Sequence, residues 1–211
     1  MSGSATASRL PTDLICGFTK AGLPTWKVFY VESRWGRADA LKYLNGLKPK
    51  VKNLQPIISA RGINSTPPED QYFKGALFLN TLRSVVDDDP RWWALLHGFY
   101  QRFKYQNIMT EDVVLYFNQE TRMNLTPIFD QYLRHTALPV LELQWDRAGE
   151  SVRYRWHADE PGFAMPVRVG SRQHWQEIQP TTTWQTLPTP LDKDQFKVAT
   201  DLYYIKVVWM P

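Results

Sequence analysis

The sequence predicts an α+β fold in two parts, a helical segment followed by a small antiparallel β-sandwich. Three observations carry that reading. Apolar residues recur at three- and four-residue spacing as far as about residue 137, which is a helical period. Beyond Pro139 the spacing falls to two, which is the period of half-buried strands. With 211 residues and 43% hydrophobic content, including nine Trp, the chain is long enough to bury a sizeable core. The expected division is an irregular N-terminal segment over 1–24, helices over 25–137 and the sandwich over 138–211.

Residues 1–24 show no period and carry Gly17, Gly22 and Pro24. From Trp26 the pattern turns helical, with Val28, Phe29, Val31, Trp35, Ala38, Leu41 and Leu44 on one face and Gly46 as a stop. Gly36 inside this run either weakens a single continuous helix or marks a break between two helices. Residues 47–68 hold Pro49, Pro56, Gly62, Asn64, Pro67 and Pro68 and read as a connector, with "LQPII" a short extended apolar piece.

The next helix spans about 69–86 and is apolar nearly all round, so it must be covered on several sides. "DDDP" at 87–90 ends it and caps its successor, with Asp89 and Pro90 in the first turn. In that successor, "RWWALLHGFYQRFKYQ", the expected buried stripe is Trp93, Leu96, Phe99, Tyr100 and Phe103. Thr110 is the expected N-cap of "EDVVLYFNQE", and Asn124 or Thr126 opens "PIFDQYLRH".

In the second part, "VLELQW" and "VRYRWH" alternate, with Val152, Tyr154 and Trp156 facing one way and Arg153 and Arg155 the other. "MPVRV", "TTTWQT" and "ATDLYYIKVVWM" continue the style between turn-rich pieces such as "RAGE" and "DEPG". Five or so short strands of this kind suit an antiparallel sandwich.

Composition excludes several classes. The net charge of +4 is spread over 25 basic and 21 acidic residues with no basic block, so a nucleic-acid partner is not expected. A single cysteine, Cys16, rules out an internal disulfide framework and any multi-cysteine metal site. No apolar run reaches the length of a membrane span. The N-terminus lacks the apolar stretch of a signal peptide, so the expected location is cytoplasmic.

Self-contained chemistry is hard to find. The four histidines, His97, His135, His157 and His174, offer no pair four residues apart and no H-E-x-x-H, so a zinc site within this chain is not expected. G-x-S-x-G and a Gly-rich phosphate loop are also missing. Cys16 has nothing near it in sequence to lower its pKa. The arginines of "RYRWH" and the acids of "HADE" read as solvated sheet and turn residues.

"YFKGALFLNTLR" at 72–83, "WWALLHGFYQRFKYQNIMTEDV" at 92–113 and "NLTPIFDQYLRHTALPVLEL" at 124–143 together resemble the gluzincin zinc aminopeptidases, the group that includes membrane alanyl aminopeptidase and leukotriene hydrolase. In that family a Y-x-K-G-A-type helix follows the zinc-binding helices. An aromatic "Y/F-x-N-I-T-T-E-D" turn and a passage into a β-sandwich come next, in the order kept here. The resemblance implies that the helical segment is the end of a thermolysin-like catalytic domain. It places Tyr72 on the catalytic tyrosine, whose phenol donates a hydrogen bond to the oxyanion formed when zinc-bound water attacks the scissile carbonyl. Lys74, Gly75 and Ala76 would then pack and position the helix.

The departures are as informative. The G-x-M-E-N loop, the H-E-x-x-H pair and the downstream glutamate ligand have no counterpart, and "ICGF" at 15–18 puts Cys16 where that glutamate would stand. The resemblance therefore implies the C-terminal part of a zinc aminopeptidase that keeps the tyrosine, holds no metal of its own and is inactive alone. Its expected partners are peptide substrates, a missing N-terminal half, or a second copy meeting an exposed apolar face of the 72–86 helix. A non-catalytic peptide- or protein-binding module is the alternative, and a repurposed metal-independent hydrolase is the weakest.

Overall fold

The computed structural model describes residues 22–59, 63 and 66–211, with the backbone alone for 22–26 and 29. Among the described residues the α-helices are α1 (Gly22–Trp35), α2 (Arg37–Asn45), α3 (Asp70–Val86), α4 (Asp89–Phe103), α5 (Thr110–Thr121) and α6 (Thr126–Arg134), with a 3-10 turn at Lys48–Lys50. Seven strands follow: β1 (Val140–Trp145), β2 (Ser151–His157), β3 (Val167–Gly170), β4 (Trp175–Ile178), β5 (Gln185–Pro188), β6 (Lys197–Val198) and β7 (Lys206–Trp209). The fold is α+β, as the change of period predicts.

Gly36 does separate α1 from α2, with a positive φ of 89° that side chains other than hydrogen rarely adopt. α1 begins at Gly22, ahead of the first apolar position, because Pro24 is tolerated in a first helical turn. The described residues of the connector take no place in either sheet. Its Ile57 is nonetheless buried, and the Ile58 N–H donates to the Leu133 carbonyl at 3.1 Å.

The starts of α4 and α5 use side-chain contacts. Asp87 closes α3 in the left-handed region, and the Asp88 carboxylate accepts from the Arg91 N–H at 2.9 Å to open α4. Thr110 is not the N-cap of α5. Met109 precedes the helix, and the Asp112 carboxylate reaches back to its N–H at 2.8 Å. The buried stripe of α4 is also rotated from the one expected. Trp92, Leu95 and Phe99 are buried, whereas Tyr100 is 56% exposed. Two partners set that rotation: the Phe99 ring packs on Tyr116 and Phe117 of α5, while Trp93 turns to cover Arg83.

α3 is the helix around which the others pack. Every residue from Ala76 to Val85 is buried. Asn80, Thr81 and Ser84 on it face the segment between β6 and β7. Asn80 Nδ2 donates to the Leu202 carbonyl at 2.9 Å, and the Tyr204 N–H donates to Thr81 Oγ1 at 2.9 Å. On its apolar side Phe78 stacks on Tyr132 at 5.0 Å and meets Phe129 edge-on. The exposed apolar face expected on this helix is therefore covered from within the chain.

One sheet has the order β5-β2-β1-β7 and the other β4-β3-β6. All pairings are antiparallel except β1 with β7, which is parallel. Parallel neighbours need a long crossover, and here the rest of the sandwich lies between the two strands. "ATDLYYIKVVWM" is a strand only over Lys206–Trp209, because Leu202–Ile205 leaves the sheets to dock on α3. On β2 the alternation holds: Val152, Tyr154 and Trp156 are buried, and Arg153 and Arg155 flank the Trp184 ring at 5.0 and 4.6 Å.

Candidate functional site around Tyr72

Tyr72 lies in the first turn of α3, half-buried, with its N–H donating to the Glu69 carbonyl at 3.0 Å. Its side chain forms no hydrogen bond with another described residue. A half-buried phenol at a helix start is open to solvent or to a ligand, whereas a structural tyrosine that is buried finds a partner for its hydroxyl within the protein. Tyr132 is such a structural tyrosine. It is fully buried, donates to the Tyr204 carbonyl at 2.8 Å, and has its pKa raised by burial.

The turn that carries Tyr72 is anchored on both sides. Asp70 is buried, and its two carboxylate oxygens accept the Lys52 and Asn53 N–H groups at 2.8 and 2.6 Å. One turn along, Lys74 is 1% exposed and donates from Nζ to the His135 carbonyl at 2.9 Å. Burial pushes its pKa down to about 8, against the opposing pull of Asp70. The His135 ring then meets the β region, with Nε2 at 3.2 Å from the Glu160 carboxylate and Nδ1 at 3.9 Å from that of Asp159. The acids of "HADE" thus serve His135, and His157 is exposed at the end of β2.

Both ring nitrogens of His135 already face carboxylates, and among the described residues no group of three or more His, Cys, Asp or Glu could hold a metal ion. The zinc implied by the resemblance has no ligand set there. Cys16 and "ICGF" lie outside the described residues. No described helix is long and apolar enough to cross a membrane.

A second polar cluster went unforeseen. Arg83, buried in the last turn of α3, makes paired hydrogen bonds to Glu32 (2.7 and 2.8 Å) and to Asp89 (2.7 and 2.8 Å), and its guanidinium lies 4.9 Å from the Trp93 ring centroid. Arg37 adds a bond to Asn80 at 3.1 Å. Burial disfavours the Arg83 charge, but the carboxylate hydrogen bonds outweigh it and raise its pKa. The same contacts lower the pKa of Glu32 and of Asp89. The sequence signal was an arginine on a helix apolar all round, which must bring a counter-charge with it. A cavity of about 30 Å³ beside Arg37, Arg83 and Trp93 has room for a water or two and is too small for a peptide.

No protein-family model matches the sequence, and no curated protein matches it by sequence. Among solved structures, the chain is similar to Legionella pneumophila aminopeptidase A, crystallised in complex with aspartic acid. The TM-score is 0.64 at 8% identity, over 94% of this chain and 24% of that one. At that identity the likeness is one of fold. The chain spans about a quarter of the length of that enzyme.

Proposed function

We propose that this chain is the C-terminal part of a zinc-aminopeptidase-like hydrolase, and that Tyr72 supplies the hydrogen bond to the oxyanion while the metal and the base come from outside the described residues. The observation that carries the reading is the Tyr72 phenol, held at the start of a doubly anchored helix and hydrogen-bonded to no other described residue. It is supported by the run of motifs from 72 to 143 and by the aminopeptidase-like fold. A preorganised O–H aimed at developing negative charge contributes about 10²–10³ in rate. That contribution requires a nucleophile to have attacked, and the chain has no H-E-x-x-H from which to build one. Peptides with a free N-terminus are the substrates of the whole enzyme.

Metal analysis of the purified chain, together with turnover of an aminoacyl chromogenic substrate, tests the proposal. The expected result is no stoichiometric zinc and no turnover above background from the chain alone. Stoichiometric zinc with turnover lost in Tyr72→Phe would overturn the claim of inactivity. Turnover that survives a chelator would point to a metal-independent hydrolase.

A further inference from the structure

Packing alone does not account for Lys74. A methionine would fill similar space, whereas an ammonium at 1% exposure loses nearly all its hydration and persists only where specific contacts offset that cost. The side chain reaches from one turn into α3 to the carbonyl of His135, the residue that follows α6 in extended conformation. That carbonyl has turned out of the helical hydrogen-bond ladder, so a buried acceptor there needs a donor from elsewhere in the fold, and the ammonium supplies it.

The receiving carbonyl is itself held in place. The His135 ring contacts Glu160, the Gln131 side chain donates to the Ala137 carbonyl at 2.9 Å, and the same side chain accepts the Glu160 N–H at 2.8 Å. Residues 131–137 and the turn after β2 thus form one hydrogen-bonded junction.

We propose that Lys74 is a positioning residue, which pins the first turn of α3, and with it the Tyr72 phenol, to the junction between helices and sheets. The β region thereby helps set where the phenol lies, two residues away along the same turn. Asp70 holds the opposite flank through the Lys52 and Asn53 N–H groups, so the turn is fixed from two directions.

The significance of this role rests on the reading of Tyr72 above, but its test does not. NMR of the full chain with labelled tyrosine reads the Tyr72 ring, assigned by its loss in Tyr72→Phe. Hydrogen exchange reads the Gln71 and Tyr72 amides, which donate to the Pro68 and Glu69 carbonyls at 3.0 Å. In Lys74→Met the Tyr72 signal is expected to shift or broaden and these amides to exchange at least tenfold faster. The Tyr132 ring and the amides of 79–85 should be unchanged. Lys74→Gln, which keeps a neutral donor, gives a smaller effect in the same direction and decides the matter should the methionine variant not fold. An unaltered Tyr72 signal with unaltered exchange in a folded variant would overturn the proposal. So would an equal disturbance of Tyr132 and 79–85, which would make Lys74 a general support of the core. Absence of peptidase activity in the chain bears on neither outcome.

Discussion

The hydroxyl of Tyr72 and the ammonium of Lys74 sit two residues apart and should answer differently to substitution. Tyr72→Phe removes an O–H that bonds to no described residue, so the thermal stability of the chain is expected to change by less than about 0.5 kcal/mol. A loss several times larger would make the phenol structural. Lys74 carries a pH dependence whose sign follows from burial. Its pKa falls from the model-compound 10.5 to about 8, so between those values the unfolded chain binds more protons than the folded one. Stability contributed by this residue therefore rises with pH from about 8 to 10.5, by roughly 3 kcal/mol. Denaturant titrations at pH 7.5 and 10 should show that difference in the parent chain and its loss in Lys74→Met.

Between elements, the decisive contacts lie where α3 meets its neighbours. Arg83 bridges α1 and the start of α4, and Arg83→Ala would leave the Glu32 and Asp89 carboxylates with only Arg37 nearby, 3.4 Å from Glu32, as a cation. A loss of about 3 kcal/mol is expected from chemical denaturation. The lowered pKa values of Glu32 and Asp89 add stability that is present above their unfolded values near 4.5 and 3.8 and is lost as pH falls through the folded ones. Acid unfolding of Arg83→Ala should accordingly be less steep over that range. At the α4–α5 contact, a Cβ on Gly98 would stand 2.6 Å from Tyr116 Oη, which donates to the Leu95 carbonyl at 2.9 Å. Tyr116 is buried and rigid, so Gly98→Ala should destabilise by about 1–3 kcal/mol despite its better helix propensity. The rotated stripe of α4 has the same origin. Periodicity told which residues were helical and apolar, but which of Trp92 and Trp93 went inward depended on the aromatic cluster across the helix pair.

At the scale of the molecule, the helical and β regions are joined by residues that neither period announced. Leu202–Ile205 leaves the sheets to pair with Asn80, Thr81 and Tyr132, and Lys74 crosses to the junction at His135. Such shared burial predicts one cooperative transition, with far-UV circular dichroism of the helices and near-UV signals of the tryptophans coinciding. Two separated transitions would mean that the regions fold independently.

By itself the sequence determined the α+β class, the run of helices and the alternation of the first strands, because these follow from local period and from caps encoded within a few residues. It also singled out Tyr72, through motifs in a recognisable order. Tertiary structure alone decided the parallel β1–β7 pair, the docking of Leu202–Ile205 on α3, and the partners of Arg83, Lys74 and His135. Apart from Arg83 with Asp89, six positions on, each of those joins residues tens to more than a hundred positions apart, and no local pattern carries that information. They exist because a helix apolar all round must be covered, and because charges buried with it must find partners wherever the fold brings them.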